Sequence, residues 1–260
     1  MMTSKPDIDN LPGGWEPEVG QLPFMSRVKV IDLGNSEAWV VQNALSINQC
    51  NELIEFMKKS PRLEAVSIQG RKDIPDSRIG SSRTTVYSTE LADIIFESFG
   101  HLLPEYFMTN NLTPTDHWQQ QERNDDCYVW KLRGMSPMLR FMKYLDGGEH
   151  YAHYDAGYIY EDPRQRTLKS VVIYLTTNKT GATRFIEDKQ SHIPTADRIH
   201  EDWLRRVEDN EVIHANLPVK GDILIFDHRF CHDVQQFIPE LGVDEERIII
   251  RGDLIYYRTY

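Results

Sequence analysis

The 260-residue chain has few cysteines and no long apolar segment. Its three cysteines, Cys50, Cys127 and Cys231, show no Cys-x-x-Cys spacing, so neither a disulfide framework nor a structural zinc site is predicted. No run of about eighteen apolar residues occurs, and the N-terminal MMTSKPDIDNLPGG has no apolar signal core. We therefore expect a soluble, cytoplasmic protein that does not contact a membrane.

Positive charge is also scarce: 29 Lys and Arg stand against 40 Asp and Glu, which gives a formal net charge of −11. A protein of this charge lacks the general attraction to phosphate backbones that drives nucleic-acid binding. We therefore expect no nucleic-acid partner, and nothing in the sequence indicates an oligomeric state.

Two predicted strands, over residues 28–33 and 39–42, and then two helical patterns precede a longer run of predicted strands. Residues 1–25 are polar and contain Pro and Gly, which predicts an N-terminal arm before a single domain over residues 26–260. Two apolar stripes at helical spacing, the first after a Ser46–Gln49 capping box, predict helical support over about 46–107. Seven short strands predict a sandwich or barrel. They span residues 139–145, 151–155, 169–176, 182–186, 222–226, 234–237 and 247–257.

A polar, charged segment interrupts these strands at about residues 187–218. It contains Pro194 and a stretch over residues 196–207 that is predicted to be helical. We interpret the segment as a lid or a side insertion.

His153 and Asp155 form a His-x-Asp pair, followed far along the chain by His232 and, fifteen residues later, by Arg247. In an extended strand, alternate side chains emerge on one side, about 7 Å apart. Two imidazoles and one carboxylate can hold Fe(II) and leave coordination positions open for substrates. This set predicts a non-haem iron centre.

Five motifs around these residues appear in order: LRFMKYLDGGEHYAHYD, SVVIYLTTN, GATRF, VKGDILIFDHRFCHDV and ERIIIRGDLIYYR. Together they resemble the catalytic core of the 2-oxoglutarate- and Fe(II)-dependent dioxygenases, particularly the prolyl-4-hydroxylase-like branch. The resemblance covers a little under half of the chain. It implies a mainly β fold with supporting helices, whose core over about 139–258 is a double-stranded β-helix (a jelly roll, cupin-like).

The second histidine ligand has several candidates downstream of Asp155. His232 matches the family's His-x-Val pattern and is preferred, and His228 is its competitor because it lies nearer the end of the preceding strand. The remaining histidines lie in a polar stretch and are interpreted as surface residues. They are His192, His200 and His214.

The resemblance also implies that a basic residue on the last strand binds the far carboxylate of 2-oxoglutarate. Arg247 is preferred and Arg251 is the alternative, because the distance from His232 exceeds the family's usual spacing of about ten residues. Tyr144 and Thr183 are further candidates for hydrogen bonds to the cosubstrate. Arg83 and Arg184 are candidates for binding the substrate.

The implied cofactors are Fe(II), 2-oxoglutarate and O2, with His153, Asp155 and His232 as the metal ligands and catalytic centre. Family chemistry converts 2-oxoglutarate and O2 to succinate and CO2 while a substrate C–H becomes an alcohol. Related halogenases have a small residue in place of the aspartate, so Asp155 favours hydroxylation.

The substrate is expected to be a small polar molecule, such as a free amino acid or a biosynthetic intermediate. A peptidyl prolyl hydroxylase is the main alternative, with Tyr158, Tyr160 and Trp203 as candidates to line a peptide groove. A non-catalytic, cupin-like metal- or ligand-binding protein is an alternative of another class. It would be expected to lack a ligand or the cosubstrate's basic residue, and this chain has both.

Overall fold

The computed structural model of the chain describes eleven stretches. They are residues 28–34, 37–59, 64–65, 78–104, 109–112, 128–158, 160–162, 164–190, 192–193, 203–240 and 244–259. The predicted arm over 1–25, His200 and residues 196–202 of the predicted helix lie outside this described part.

Strands dominate the described residues, and all their pairings are antiparallel. In chain order they are β1 Val28–Asp32, β2 Glu37–Val41, β3 Glu64–Ala65, β4 Arg78–Tyr87, β5 Thr109–Leu112, β6 Tyr128–Met135, β7 Met138–His153, β8 Gln165–Tyr174, β9 Thr183–Ile186, β10 Val212–Asn216, β11 Ile223–Asp227, β12 His232–Val234 and β13 Arg247–Thr259. The mainly β class with supporting helices is confirmed.

Two α-helices, α1 (Ile47–Lys59) and α2 (Thr89–Phe99), support the sheet. The predicted capping box begins α1: Ser46 N donates to Gln49 Oε1 at 2.8 Å, and Gln49 N donates to Ser46 Oγ at 3.2 Å. Ser88 caps α2 by accepting from Leu91 N at 3.1 Å. Neither helix has the length and apolar character that a membrane span requires, and the described residues contain no other helix that does.

Strand β7 organises the sheet because different parts of it have different neighbours. Its first half lies between β4 and β13, with Tyr144 opposite Ser81 on one side and Arg247 on the other. Its second half still pairs with β4, but β12 takes the place of β13 on the other side, where His153 lies opposite His232. A strand shared in this way joins two sheets into a nearly closed barrel. This is the expected double-stranded β-helix, or jelly roll.

Several predicted boundaries differ from the structure. The two strands predicted over 139–145 and 151–155 are the single strand β7, and the strands β3, β4, β5, β6 and β10 were not predicted. The predicted insertion over 187–218 contains β10, which extends the sheet by pairing with β9. Residues 203–205 form bends and residues 206–207 belong to no helix or strand, so the predicted helix is wrong for that part.

Apolar side chains form two main clusters on the two faces of the central strands. On β13, Ile248 and Ile250 pack toward the helices, whereas Ile249 faces the interior between the sheets. Alternation along a strand produces this division. The interior cluster also contains Tyr144 and Val234, which bring it to the edge of the site described below.

Substitution of a residue in the helix-facing cluster tests this division. Ile250 is fully buried, so we expect Ile250→Ala to lower the free energy of unfolding by about 2–5 kcal/mol, through lost burial and the cavity that remains. Ile213→Ala, on half-exposed β10, is the matched control and should cost less than about 1 kcal/mol. Urea denaturation measures both, and equal losses would contradict the assigned core.

Candidate active site

The register between β7 and β12 places two histidines side by side. His153 is the last residue of β7 and His232 the first of β12, and the two are direct partners across the antiparallel ladder. Their ring centroids are 4.2 Å apart. Residues nearly eighty positions apart in sequence therefore form one pair of imidazoles.

Backbone carbonyl groups fix the orientation of both rings. His153 Nδ1 lies 2.7 Å from Tyr151 O, and His232 Nδ1 lies 2.9 Å from Phe230 O. A carbonyl oxygen can only accept, so each Nδ1 carries the proton and each Nε2 has its lone pair available for a metal. Burial, together with the neighbouring His232, holds the pKa of His153 well below its usual value, which keeps that imidazole neutral.

Asp155 completes the group. Its Oδ1 is 3.9 Å from His153 Nε2 and its Oδ2 is 3.6 Å from His232 Nε2. The three ligand atoms all lie within 4.8 Å of one another, so one metal ion can be held by them. Two neutral imidazoles and one carboxylate form the donor set that Fe(II) takes in a facial triad.

The Asp155 carboxylate is held from behind by two polar side chains. Ser170 Oγ donates to Oδ2 at 2.5 Å, and Arg251 Nη2 lies 3.2 Å from the same oxygen. Burial alone would raise the pKa of Asp155, but chiefly the charge of Arg251 holds it well below its usual value. The residue therefore stays an anionic ligand.

Arg251 also contacts a second carboxylate, that of Asp253. Arg251 Nη1 lies 2.6 Å from the Asp253 carboxylate, which His228 Nε2 also contacts at 3.0 Å. His228, the competing ligand candidate, is thus fully buried against Asp253 and lies outside the group that can hold a metal. His192 and His214 also lie outside it, the latter on β10.

A cavity of about 220 Å³ contains the three ligand candidates. Other predicted site residues that line it are Arg83, Tyr144, Thr183, Arg247 and Arg251. The fold therefore gathers eight of the nine predicted site residues around one space.

Arg184 is the predicted site residue that the fold does not bring to this cavity. It follows Thr183 on β9, and alternation turns its side chain to the opposite face of the strand. There its guanidinium donates to Asp233 at 2.9 and 2.6 Å and to Asp209 at 3.0 Å. Its predicted substrate contact is therefore not supported, because two carboxylates on the other face hold it.

Arg247 lies at the inner end of the cavity and is fully buried. Its Nε donates to Gly181 O at 2.7 Å, and its guanidinium lies over the Tyr144 ring, 4.6 Å from the centroid. Gly181 has a φ of +72°, and a Cβ there would lie 2.7 Å from Arg247 Cδ, so the arginine needs glycine at this position. Nη1 is buried and, within the described residues, has no hydrogen-bond partner.

Thr183 stands beside that guanidinium. Its Oγ1 accepts from Tyr174 Oη at 3.0 Å and lies 3.5 Å from Arg247 Nη2. Because these contacts use its lone pairs, the Thr183 hydroxyl can donate its own hydrogen to a carboxylate. Burial raises the pKa of Tyr144, so this phenol stays protonated as a further donor.

Several cavity residues were missed by the sequence analysis. Arg78, Arg140 and His150 line the cavity, and Ser170 and Asp253 support it from behind. A signal existed for two of them: Arg140 and Asp253 are charged residues within otherwise apolar strands, and a buried charge needs a partner. No such signal marked Arg78, because its neighbours are mostly polar.

Residues 40–235 match the phytanoyl-CoA dioxygenase (PhyH) family model, which is well over half of the chain. The chain belongs to the phytanoyl-CoA dioxygenase family. It is accordingly a 2-oxoglutarate-dependent non-haem iron dioxygenase, and the expected superfamily is confirmed. The donor set fits Fe(II), and the buried, unpartnered Nη1 of Arg247 fits the carboxylate of 2-oxoglutarate. A comparison with curated proteins gave no significant match.

Solved structures similar to this PhyH-family chain share little sequence with it. EvdO2 from Micromonospora carbonacea var. aurantiaca has a TM-score of 0.50 and 12% identity, over 90% of this chain and 95% of that one. A prolyl-4-hydroxylase from Pseudomonas putida has a TM-score of 0.48 and 15% identity, over 88% and 96%. Viral collagen prolyl hydroxylase from Paramecium bursaria Chlorella virus-1, in complex with 2OG, has a TM-score of 0.47 and 18% identity, over 85% and 96%. The similarity to EvdO2 is one of fold.

Loss of a ligand candidate should weaken metal binding. We expect His153→Ala and Asp155→Ala each to lower Fe(II) affinity by at least about 100-fold, more than an outer hydrogen bond usually contributes. The measurement is anaerobic calorimetric titration after chelator treatment. His192→Ala, an exposed histidine outside the group, is the control and should bind Fe(II) like the parent protein. Unchanged affinity in either ligand variant would rule out the triad.

Proposed function

We propose that this PhyH-family enzyme hydroxylates a C–H bond of a small polar substrate, such as a free amino acid or a biosynthetic intermediate. One observation carries the proposal. The buried Nη1 of Arg247, which lacks a partner among the described residues, and the His153, Asp155 and His232 group share a cavity of about 220 Å³. This arrangement provides a place for a metal and a separate place for a carboxylate.

In this proposal His153, Asp155 and His232 hold Fe(II), and Arg247 binds the far carboxylate of 2-oxoglutarate. Bound together, iron and cosubstrate supply the oxidation: 2-oxoglutarate, O2 and a substrate C–H give succinate, CO2 and an alcohol. The chain contributes orientation. Arg247 and Thr183 fix one end of the cosubstrate, while Ser170 and Arg251 keep the Asp155 carboxylate aimed at the metal.

The identity of residue 155 supports hydroxylation as the reaction type. An aspartate carboxylate occupies the metal position that halogenases leave for chloride. Because Ser170 and Arg251 hold Asp155 in place, the carboxylate does not swing away to open that position. We therefore propose that the reaction places a hydroxyl group on the substrate carbon.

The dimensions and lining of the cavity support a small substrate. About 220 Å³ must accommodate the cosubstrate as well, and such ligand sites bury most of what they bind. Tyr158, Tyr160 and Trp203, the candidates for a peptide groove, are not among the described residues that line it. Tyr158 and Tyr160 pack against each other, and Trp203 packs against Tyr154. A peptidyl proline is accordingly the second candidate.

Succinate formation tests the proposal. Anaerobic Fe(II) and 2-oxoglutarate should give a weak visible metal-to-ligand charge-transfer band. After O2 is admitted, succinate should rise with one or more free amino acids in a panel that also contains Pro peptides. Stimulation by peptides alone would replace the substrate with a peptidyl proline. A protein that gives neither a band nor succinate would fit the non-catalytic binding alternative.

Substitutions of the two arginines of β13 should differ in their effects on cosubstrate binding and metal binding. Arg247→Gln removes the charge that faces the cosubstrate, so we expect the KM for 2-oxoglutarate to rise by about 100-fold or more. Arg251→Lys keeps a charge near Asp155 but cannot contact Asp155 and Asp253 together, so that KM should change by less than about threefold while Fe(II) binding weakens. Steady-state succinate kinetics and metal titration measure these effects. The reverse ranking would transfer the cosubstrate role to Arg251.

A further inference from the structure

The lining of the cavity is rich in arginine, although the whole chain carries a net charge of −11. Its charged lining residues are Arg78, Arg83, Arg140, Arg247, Arg251 and Asp155. A divalent iron and the two carboxylates of 2-oxoglutarate cancel each other in formal charge. Guanidinium groups therefore outnumber carboxylates among the described residues of the lining, which suits an oxyanion in addition to the cosubstrate.

The arginines fall into separate groups on the two sides of β7. Arg247 belongs to β13, and its Nε and Nη2 are directed to Gly181 and Thr183, on the side of β9. Arg78 and Arg83 belong to β4, which pairs with the other edge of β7. Strands β4 and β13 are two interstrand spacings apart, roughly 10 Å. A carboxylate at Arg247 leaves the β4 side for another ligand.

An irregularity in β4 brings both of its arginines to the cavity. Residues five positions apart in a regular strand face opposite sides. The pairing with β7 shifts between Ile79 and Ser81, and Gly80 there has a φ of +58°. A Cβ at Gly80 would lie 2.9 Å from Gly148 Cα, so glycine permits this close approach. The shift restores Arg78 to the face that Arg83 occupies.

Arg78 is also oriented toward the metal side of the cavity. Its Nε donates to His150 Nε2 at 3.2 Å, and the His150 ring stacks on His153 with centroids 3.6 Å apart. Arg83 lies further along β4, opposite Met142. Arg140 approaches from β7 and is held by Asp253 at 3.1 Å, so it contributes charge from behind. Arg78 thus lies beside the metal site, and Arg83 lines the same cavity further along β4.

We infer that Arg78 and Arg83 form an anion-binding subsite for the primary substrate, which therefore carries a carboxylate or a phosphate group near the C–H that is oxidised. The inference rests on the proposed function and narrows its substrate class. Guanidinium groups bind carboxylate and phosphate alike through paired N–H donors, so this subsite can bind either group. A neutral isostere would leave the arginines without that partner.

A set of small probes tests the subsite without knowledge of the natural substrate. The parent protein is loaded with Ni(II) and saturating 2-oxoglutarate, then titrated calorimetrically with butyrate, propylphosphonate or butyramide. Butyramide matches butyrate in shape but has no charge. We expect at least one of the two anions to bind about tenfold or more tightly than butyramide. The tighter anion identifies carboxylate or phosphate chemistry.

Variants locate the binding. Arg78→Gln and Arg83→Gln should each weaken the preferred anion by about tenfold or more while 2-oxoglutarate affinity stays within about twofold, which also reports an intact fold. Arg164→Gln is the matched control and should change neither affinity, since Arg164 is partly exposed, pairs with Asp162 at 2.9 Å and does not line the cavity.

The outcomes distinguish this inference from the function on which it rests. If the parent protein binds 2-oxoglutarate normally but no anion exceeds butyramide, the subsite is wrong and the oxygenase proposal stands. If anion binding weakens equally in Arg164→Gln, the assignment to β4 is wrong. Failure of the parent protein to bind 2-oxoglutarate with Ni(II) would overturn the proposed function and the subsite together.

Discussion

The pairing of β12 with β7 is the constraint on which the site depends. A shift of one residue would turn every side chain of β12 to the other face, replacing His232 with Asp233 in the cavity. The other edge of β12 opposes such a shift. Asp233 lies directly opposite Arg184 on β9, and the two form a bidentate ion pair on the outer face. Arg184, which does not reach the cavity, thereby stabilises the register that puts His232 in it.

Charge compensation is the second requirement of the site. Asp253 is buried and Asp155 is half-buried, so desolvation raises the pKa of both carboxyl groups and the charge of Arg251 lowers it again. Arg251 lies between them and contacts both. Ser170 forms a further hydrogen bond with Asp155, and His228 forms one with Asp253. The network keeps an anionic ligand in a low-polarity interior and limits its rotation. Metal binding and the stability of this part of the core are consequently linked.

Some residues of this site could be predicted from local spacing in the sequence. The two-residue interval between His153 and Asp155, the apolar strand before His232 and the capping box of α1 are short-range signals, and each was read from the sequence. The proposed cosubstrate role of Arg247 was inferred from the family resemblance. Shortly before β13, the Asp244 side chain accepts from Thr177 N at 2.8 Å, a contact that no local pattern reveals.

Other features depend on contacts between distant residues. His228 contacts Asp253 and lies outside the group that can hold a metal, whereas His232 belongs to that group. Asp253 is twenty-five positions from His228, and no local sequence pattern reveals their contact. The side chain of Arg184 lies away from the cavity, and its strand motif alone did not indicate which face of β9 lines that cavity. Strand β4 was not predicted, because its first half, residues 78–83, is polar and contains Gly80. It becomes a strand because β7 offers it a complete edge to pair with.

The irregularity at Gly80 gives the backbone of β4 control over what the cavity can recognise. A regular strand with the same residues would turn Ile79 inward and Arg78 outward, which exchanges a cation for an alkyl group beside the metal site. The three metal-ligand candidates and Arg247 would stay the same. Relatives could thus diverge between charged and apolar substrates through the pairing geometry of one edge strand, while the oxidative chemistry is left intact.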